Sequence, residues 1–530
     1  MFKKTILGLF ALCISFGLKS QVTTNPALPV ASEKVTLTFD SSKESRLGYY
    51  TSDLYTHTGV IIEGNDDWQQ VIGSWGNNSQ QPKLTHLGNG IFELEIEPNI
   101  NSFYSVPENE RIIKLAFVFR SADASKQTNN IFVNVYQEGL IVEISEPLNN
   151  SIINKGQTIS IFANSSVSAS LKLSLNSTTL TQSTGTSITI SNIFNEPGNY
   201  WVIAEATASG ETVYDSAYIC VKDDIITETL PSNYKKGINY PSDNSAALVL
   251  WAPGKEYVFV LGDFNEWHPM NEFQMKKDGD YFWLEIDNLE KDKEYAFQYY
   301  IDNEIRIADP YTEKILDPWN DKWILEETYP GLIEYPAWKT EGIVSVLQSG
   351  QEEYQWEIAD FQPVEKEKMV IYEMLIRDFT EEHTYQLVID KLDYLEDLRI
   401  NVLELMPVNE FEGNSSWGYN PSFYFAPDKY YGPKNDLKKL IDECHKRGIA
   451  VVIDMVLNHS YGQSPFVQMY MDNWEITADN PWYNQQHNFQ NPDAHWGYDF
   501  NHESIATEEL IDSISSFWMN EYKVDGFRFD

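Results

Sequence analysis

The chain has 530 residues, which is too many for one ordinary domain and predicts about three to five structural units. Hydrophobic residues make up 42% of the sequence and charged residues 22%, and this globular composition excludes a mainly disordered protein. The formal net charge is −41, which excludes nucleic acid as a partner because binding phosphates requires clusters of Lys and Arg. A neutral, hydroxyl-rich ligand is compatible with such a surface.

The segment 1–20 has the pattern of a secretory signal peptide. Its lysines precede an apolar stretch that is too short to span a bilayer comfortably. Cys13 is a candidate for lipid attachment, but no pair of small residues precedes it. We therefore expect an exported protein, secreted or held at the cell surface or in the periplasm, whose mature chain has no transmembrane segment. The remaining cysteines, Cys220 and Cys444, are far apart in apolar segments and predict buried free thiols.

Three stretches then alternate apolar and polar residues in short runs separated by Gly, Asn and Pro. This pattern predicts three β-sandwiches, at residues 30–136, 140–222 and 237–335. The second is interpreted as an immunoglobulin-like spacer, because Ser, Thr and Asn dominate its turns and no cluster of His or carboxylates stands out.

Aromatic residues are abundant, at 14% of the chain, and they leave two interpretations open. In the first sandwich, Trp68 and Trp75 follow the segment YTHTGVI (residues 55–61) in a loop-like context. If they are exposed, they are flat platforms on which sugar rings stack; if they are buried, they belong to the core, and both roles are common. The platform hypothesis also includes Trp267 of the third sandwich.

The pattern changes at Met369, after a charged segment from 341 to 368 that is interpreted as a connector. Continuous apolar strands now alternate with helical patterns, which is typical of a parallel sheet buried on both faces. Four strands and three helices are half of an eight-fold barrel, so we expect the chain to end inside this domain, at residues 366–530. The predicted fold class is multidomain: three N-terminal β-sandwich domains, carbohydrate-binding or immunoglobulin-like, followed by the first half of a (β/α)8 TIM barrel.

Charged residues near the ends of the barrel strands are the candidates for chemistry, since barrel enzymes place their active groups there. Asp454 lies inside an apolar strand, where an unpaired carboxylate is costly. It is interpreted either as a salt-bridge partner of a neighbouring strand, with Arg528 as one candidate, or as a carboxylate that holds sugar hydroxyls. Arg528 and Asp530 share one face because strand side chains alternate with a period of two. An Arg beside a carboxylate keeps it ionised, as a nucleophile requires at neutral pH.

Two sets of motifs resemble known families. In the third sandwich, LWAP, VFVLGDFNEW and ADPY resemble the N-terminal β-domain of isoamylases, pullulanases and glycogen branching enzymes. In the barrel segment, DMVLNH (residues 454–459) and GFRFD (residues 526–530) resemble two signature segments of the α-amylase superfamily, glycoside hydrolase family 13. VLELMPV with WGYNP resembles the family's second-strand segment in the style of pullulanases and branching enzymes, and YEMLIRDF resembles its first strand.

The resemblance implies a role for each matching residue. Asp530 corresponds to the catalytic nucleophile, which forms a covalent glycosyl-enzyme intermediate, and Arg528 to the group that orients and ionises it. The residues implied to contact the sugar at the cleavage site are Asp454, His459, Tyr419 and Trp417. Asn458 corresponds to a position that often binds a structural Ca²⁺, and Asp499 is a second calcium candidate; no organic cofactor is implied.

Retaining hydrolysis also needs a second carboxyl group, which acts as general acid and base. The resemblance assigns that role to a Glu after a fifth strand and places a His-Asp pair after a seventh strand. This sequence contains neither strand, so by itself the chain is expected to be inactive.

The expected function is that of a secreted hydrolase of α-glucans such as starch, glycogen or pullulan. It would cleave α-1,4 or α-1,6 bonds by a retaining double displacement. Its three sandwiches, the first of them interpreted as a starch-binding module, would dock the polysaccharide and raise its local concentration. The alternatives are a 1,4-α-glucan branching transglycosylase and a non-catalytic starch-binding surface protein with a decayed barrel.

Overall fold

The computed structural model describes residues 21–44 and 46–530, apart from the side chain of Asp66. The predicted signal peptide and Cys13 lie outside these residues. The chain divides into two compact units, one ending at Asp223 and the other beginning at Asp224. Within the described residues, no helix is both long enough and apolar enough to cross a membrane.

The first module consists of two antiparallel four-stranded sheets that enclose one core. Its strands are β1 (Val22–Asn25), β2 (Val35–Asp40), β3 (Leu54–Ile62), β4 (Asn65–Gln69), β5 (Thr85–Gly88), β6 (Ile91–Ile96), β7 (Ile112–Ser121) and β8 (Ile131–Asn134), with one helix, α1 (Ile100–Tyr104). The sheets have the orders β1-β2-β6-β5 and β4-β3-β7-β8. Every second side chain of β2 is buried, and its Phe39 stacks on Phe119 of the other sheet with ring centroids 4.2 Å apart. The apolar residues of this alternating stretch are therefore buried between two sheets.

The second module is one six-stranded sheet, whereas an immunoglobulin-like sandwich has two separate sheets. Its strands are β9 (Val142–Glu146), β10 (Ser151–Asn154), β11 (Gln157–Leu175), β12 (Thr178–Phe194), β13 (Gly198–Ala208) and β14 (Glu211–Lys222). The order is β10-β14-β13-β11-β12, and β9 also pairs with β11. The ladder between β11 and β12 shifts register between Asn164 and Ala169; before this shift β11 also pairs with β9, and after it with β13. Two long strands thus run through both halves of the sheet, where the sequence pattern predicts separate short strands.

The third module packs a four-stranded sheet against a five-stranded sheet. Its strands are β15 (Gly237–Ser242), β16 (Ser245–Trp251), β17 (Val258–Gly262), β18 (Lys276–Asp278), β19 (Tyr281–Ile286), β20 (Glu294–Ile301), β21 (Ile305–Ile307), β22 (Ile315–Leu316) and β23 (Val344–Gln348). The orders are β15-β16-β19-β18 and β17-β20-β23-β22, and β21 pairs with β20. The predicted boundary at residue 335 is wrong, because the apolar run from Val344 to Leu347 in the supposed connector is buried between β20 and β22. The platform hypothesis is also wrong for Trp267, which is 1% exposed and donates from Nε1 to Asp263 Oδ1 at 3.0 Å.

The carboxyl-terminal module is a partial TIM-barrel-like region. Its strands are β24 (Ile371–Met374), β25 (Val402–Leu405), β26 (Asn409–Phe411), β27 (Pro421–Pro427), β28 (Ala450–Met455), β29 (His459–Ser460), β30 (Met471–Asp472), β31 (Glu475–Ile476), β32 (Tyr498–Asp499) and β33 (Gly526–Phe529). Its helices are α2 (Ile376–Phe379), α3 (Tyr385–Ile389), α4 (Leu392–Asp397), α5 (Lys434–Lys446), α6 (Pro465–Gln468) and α7 (Ile505–Glu521). The parallel strands β24, β25, β28 and β33 are adjacent in this order, as their continuous apolar runs predict.

Helical spacing explains how α5 covers this sheet. Leu437, Leu440, Ile441 and Cys444 recur every three or four residues and are all buried. Cys444 and Cys220, the latter in β14, are both buried and form no disulfide bond within the described residues, as predicted.

Candidate active site

The carboxyl ends of β28 and β33 bring three charged residues together. Parallel pairing places Asp454 of β28 beside Arg528 of β33, and Asp530 directly follows β33. Arg528 Nη1 lies 3.0 Å from each carboxylate oxygen of Asp454 and 2.7 Å from Asp530 Oδ1. Arg528 and Asp530 therefore share a face, as the strand period predicts, and the salt bridge considered for Asp454 is present.

These three groups differ in their exposure to solvent. The side chain of Asp454 is fully buried, whereas those of Arg528 and Asp530 are 43% and 28% exposed. A buried carboxylate costs free energy unless it is paired, and Arg528 supplies that pairing. Hydrogen bonds to Asp454 and then to Asp530 raise the pKa of Arg528 above its ordinary value, so the guanidinium stays cationic. The result is an accessible carboxylate beside a permanent positive charge.

A tyrosine from the loop between β26 and β27 is the second partner of Asp454. Tyr419 Oη donates to Asp454 Oδ2 at 2.6 Å. Partial burial, followed by this hydrogen bond, raises the pKa of Tyr419, so the phenol keeps its proton at neutral pH. Asp454 is thus held from two directions, by a phenol and by a guanidinium.

His459 lies against the backbone of the same loop. Its side chain is buried, and Nε2 donates to the carbonyl oxygen of Tyr419 at 2.9 Å. Because a carbonyl oxygen only accepts, this bond places a proton on Nε2. Burial lowers the pKa of His459, which favours the neutral ring. The imidazole of His459 therefore positions Tyr419. Its contact with the sugar stays a prediction.

The loop that carries Trp417 and Tyr419 approaches the end of β25 very closely. Gly418 has a φ of +91°, and a Cβ at this position would lie 2.6 Å from the carbonyl oxygen of Pro407. Only glycine combines this backbone conformation with such an approach, which explains the glycine of the WGYNP motif. Trp417 itself is 60% exposed, and its role as a sugar contact stays a prediction.

Two residues beside this group are missed by the sequence analysis. Glu404 lies in β25, and its pKa is raised by partial burial and then by the charges of Glu373 and Asp454. A carboxylate within an apolar strand is the same signal that selects Asp454, so Glu404 could have been found. Arg377 Nη1 donates to the carbonyl oxygen of Ser416 at 3.1 Å and so holds the loop; no sequence signal indicates this contact.

Models of two protein families match parts of the chain. Residues 378–497 match the catalytic domain of alpha amylase, and residues 235–319 match carbohydrate-binding module 48, the isoamylase N-terminal domain. Residues 378–497 are therefore part of an α-amylase-family catalytic domain, glycoside hydrolase family 13. Both resemblances found in the sequence are thereby confirmed. The catalytic match includes Tyr419, Asp454 and His459 but ends before Arg528, so the α-amylase-family roles of Arg528 and Asp530 stay predictions.

Proteins similar to this chain include enzymes of several kinds. The malto-oligosyltrehalose trehalohydrolase of Saccharolobus solfataricus is 29% identical over 271 residues, which cover 50% of this chain and 43% of the relative. The 1,4-α-glucan branching enzyme of Pseudoalteromonas atlantica is 28% identical over 304 residues, which cover 53% of this chain and 37% of the relative. The crystal structure of the Group B Streptococcus pullulanase SAP is 19% identical, with a TM-score of 0.41, and the match covers 74% of this chain and 54% of that one. The chain thus spans less than half the length of these two curated relatives.

The two calcium candidates of this domain, Asn458 and Asp499, are brought near each other by the pairing of two short strands. His459, next to Asn458, pairs with Asp499 across β29 and β32. Asn458 Oδ1 is buried without a hydrogen-bond partner, which fits a cation ligand, whereas Asp499 Oδ2 already accepts from Asn484 Nδ2 at 2.7 Å. Calcium takes six to eight oxygen ligands, and the described part of the chain holds no group of three or more His, Cys, Asp or Glu suited to a metal. Calcium binding therefore stays a prediction.

Proposed function

We propose that this family-13 protein hydrolyses α-glucans by a retaining double displacement in which Asp530 is the nucleophile. The observation that supports the proposal is the contact of one nitrogen, Arg528 Nη1, with both Asp454 and Asp530. This contact holds a partly exposed carboxylate beside a permanent positive charge. The arginine engages Asp530 Oδ1, and we assign the attack to Oδ2.

In the first step, Asp530 Oδ2 forms a bond to the anomeric carbon while the bond from that carbon to the glycosidic oxygen breaks. The departing oxygen takes a proton from a general acid, which the family resemblance assigns to a Glu after a fifth strand and not to a residue of 366–530. Water then displaces Asp530 and gives its proton to that same group. Two inversions at one carbon retain the anomeric configuration.

Groups around Asp530 position it and the sugar. We propose that Asp454, held by Arg528 and Tyr419, fixes the angle of the guanidinium toward Asp530. The ring of Tyr419, whose backbone is held by His459, offers a face on which the sugar stacks.

The bond that is cleaved is a separate part of the proposal. The isoamylase-type module and the WGYNP motif favour α-1,6 cleavage over α-1,4 cleavage. Product analysis distinguishes them, because α-1,6 cleavage converts pullulan to maltotriose, whereas α-1,4 cleavage shortens amylose. A branching transglycosylase would instead add α-1,6 bonds to amylose without releasing new reducing ends.

We also propose that the protein is exported and that its partner is an external α-glucan polysaccharide. The pattern of residues 1–20 and the net charge of −41 support this proposal, since a strongly acidic surface suits a neutral polymer better than a polyanion.

The covalent step offers a test that does not depend on the general acid. A maltosyl fluoride with a second fluorine on its ring carries a leaving group that needs little protonation, so attack by Asp530 should leave a stable glycosyl adduct. We expect mass spectrometry to find one maltosyl adduct on the peptide that contains Asp530, and none in Asp530→Asn. Asp512→Asn, an exposed carboxylate of α7, is the control and should label normally. Labelling that persists in Asp530→Asn would contradict the assignment, and a decayed, non-catalytic barrel would not label at all.

A further inference from the structure

The first module carries a group of aromatic side chains on the outer face of the sheet β4-β3-β7-β8. Pairing of Tyr55 with Arg120 and of His57 with Val118 sets these four residues on one face of the sheet. The alternate residues, such as Phe119, face the core. The face that carries His57 and Arg120 is therefore the one directed away from the core.

Four rings form a continuous strip on this outer face, which we call the aromatic strip: Trp75, His57, Trp68 and Phe132. Successive ring centroids are 4.7, 5.6 and 6.2 Å apart. Its ends lie in solvent, since Trp75 is 57% exposed and Phe132 is 46% exposed. Single exposed aromatic residues are ordinary, but a continuous exposed strip is typical of a binding surface.

The ring of Trp75 is supported from beneath by Arg120. The guanidinium lies 4.8 Å from the ring centroid, and Arg120 is only 4% exposed. Arg120 Nε and Nη1 are buried and have no hydrogen-bond partner among the described residues. A guanidinium that served stability alone would be paired with a carboxylate, because leaving its donors unpaired is costly. Here it makes a cation–π contact that holds the indole in place.

The loop that carries Trp75 is tied to both strands beneath it. The amide of Ile72 donates to the carbonyl oxygen of Thr58 in β3 at 2.9 Å. Asn78 Nδ2 donates to the carbonyl oxygen of Ala122, just beyond β7, at 2.8 Å. A platform that is already ordered loses little entropy when a ligand binds, so this loop is prepared for contact.

The middle of the strip is uncharged. Gln81 Nε2 donates to His57 Nδ1 at 3.0 Å, which leaves the imidazole proton on Nε2. Burial, followed by the charge of Arg120, lowers the pKa of His57. The imidazole ring is therefore neutral at any pH above the ordinary pKa of histidine. The buried Arg120 supports the strip without presenting its charge to solvent.

We infer that the aromatic strip binds a chain of neutral pyranose units, with Trp75 as its main platform and Arg120 as the residue that positions Trp75. The apolar C–H face of a pyranose ring matches an exposed indole, and a row of rings fits successive units of a polymer better than a single sugar. The choice of α-glucan as that polymer rests on the proposed function, since a module that holds the substrate of its own catalytic domain raises its local concentration.

Affinity electrophoresis of the whole chain through gels that contain amylopectin tests this site. We expect Trp75→Ala to weaken the retardation at least about fivefold, because a few exposed aromatic residues dominate the energy of such contacts. Trp75→Phe, which keeps a ring, should retain most of the retardation. Arg120→Lys, which keeps the charge but loses the planar stack, should fall between them. Tyr214→Ala, at a residue of β14 that is 65% exposed, is the matched control and should migrate like the unchanged chain.

The possible outcomes separate the site from the proposed function. Equal retardation of Trp75→Ala and the unchanged chain would overturn the site and leave the hydrolase proposal intact. Retardation by polygalacturonate in place of amylopectin would overturn the assignment to a neutral polymer. Failure of the hydrolase proposal would instead appear as missing labelling of Asp530, whatever the gels show.

Discussion

Asp454 has no exposure to solvent, yet three hydrogen bonds reach its two oxygens, two from Arg528 Nη1 and one from Tyr419 Oη. A hydrogen bond to a charged group contributes about 1.5–3 kcal/mol, and a buried acceptor that loses its donor keeps the cost of desolvation. The surroundings of Asp454 are therefore sensitive to a small change.

Tyr419→Phe keeps the ring and removes only the donor to Asp454. We expect the free energy of unfolding of the carboxyl-terminal unit to fall by about 1–3 kcal/mol, because a buried carboxylate loses a partner. Labelling of Asp530 by the maltosyl fluoride with a second ring fluorine should also slow, since Arg528 is held less firmly in its orientation toward Asp530. Urea denaturation and the labelling rate measure the two effects. Tyr461→Phe is the control, because Tyr461 lies beside the same site and contacts His459 through its ring, with centroids 5.6 Å apart. An equal effect of the two changes would contradict the role assigned to the phenol of Tyr419.

Part of this arrangement is predictable from sequence. The period of strands places Arg528 and Asp530 on one face, and an isolated carboxylate in an apolar strand identifies Asp454. The contact of Tyr419 with Asp454 and that of His459 with the Tyr419 carbonyl are not predictable in this way. They depend on how the loop between β26 and β27 folds across the end of β28, which no local pattern specifies.

At the scale of elements, the loop from β26 to β27 contains two glycines in the same backbone region but in different surroundings. Gly413 has a φ of +79° and open space around its missing Cβ, whereas Gly418 has a φ of +91° and lies against Pro407. Any residue other than glycine is strained at either position by the left-handed conformation. At Gly418 its Cβ would also collide with the backbone of Pro407.

These two glycines form a matched pair for a test of the loop. Gly413→Ala should lower the free energy of unfolding by about 1–2 kcal/mol and leave the labelling of Asp530 unchanged. Gly418→Ala should lower it further and slow the labelling at least about tenfold, because the loop must move away from Pro407 and take Tyr419 with it. Equal labelling rates in the two variants would show that the close approach does not position Tyr419.

The strand that the sequence assigned to a connector has a physical explanation. The strand Val344–Gln348 stands in a charged surrounding, and its burial comes from partners that are distant in sequence. Local composition indicates which segments are apolar, but partners distant in the chain decide which of them are covered.

At the scale of the whole carboxyl-terminal unit, a buried group of charges joins the isoamylase-type module to the barrel. Lys429 is 2% exposed, and its Nζ lies 2.5 Å from Glu410 Oε1 and 3.3 Å from Asp321 Oδ1. Burial raises the pKa of Glu410 and Asp321, and raises that of Asp428 to about 7. One lysine therefore balances three buried carboxyl groups.

Lys429→Met should destabilise this unit by about 3–5 kcal/mol near neutral pH, because it leaves buried carboxylates without a counter-charge. A carboxyl group whose pKa is raised by folding binds more protons in the folded state, so its stability contribution falls as pH rises from about 4 to about 7. Urea midpoints should therefore show a smaller deficit at pH 5.5 than at pH 8. Lys434→Met, whose lysine is 27% exposed, is the control and should change the midpoint little at either pH. A deficit that does not depend on pH would show that lost packing, and not charge, is the cause.

The two buried thiols have a practical consequence for the molecule. Within the described residues, Cys220 belongs to the unit that ends at Asp223 and Cys444 to the unit that begins at Asp224, and both have zero exposure. Burial also raises the pKa of Cys444, so alkylating reagents meet a protonated, covered sulfur in the folded state. Each unit thus carries its own reporter of opening. The rates at which iodoacetamide modifies the two cysteines, read from two peptides in one digest, give the opening of each unit separately without any engineered label.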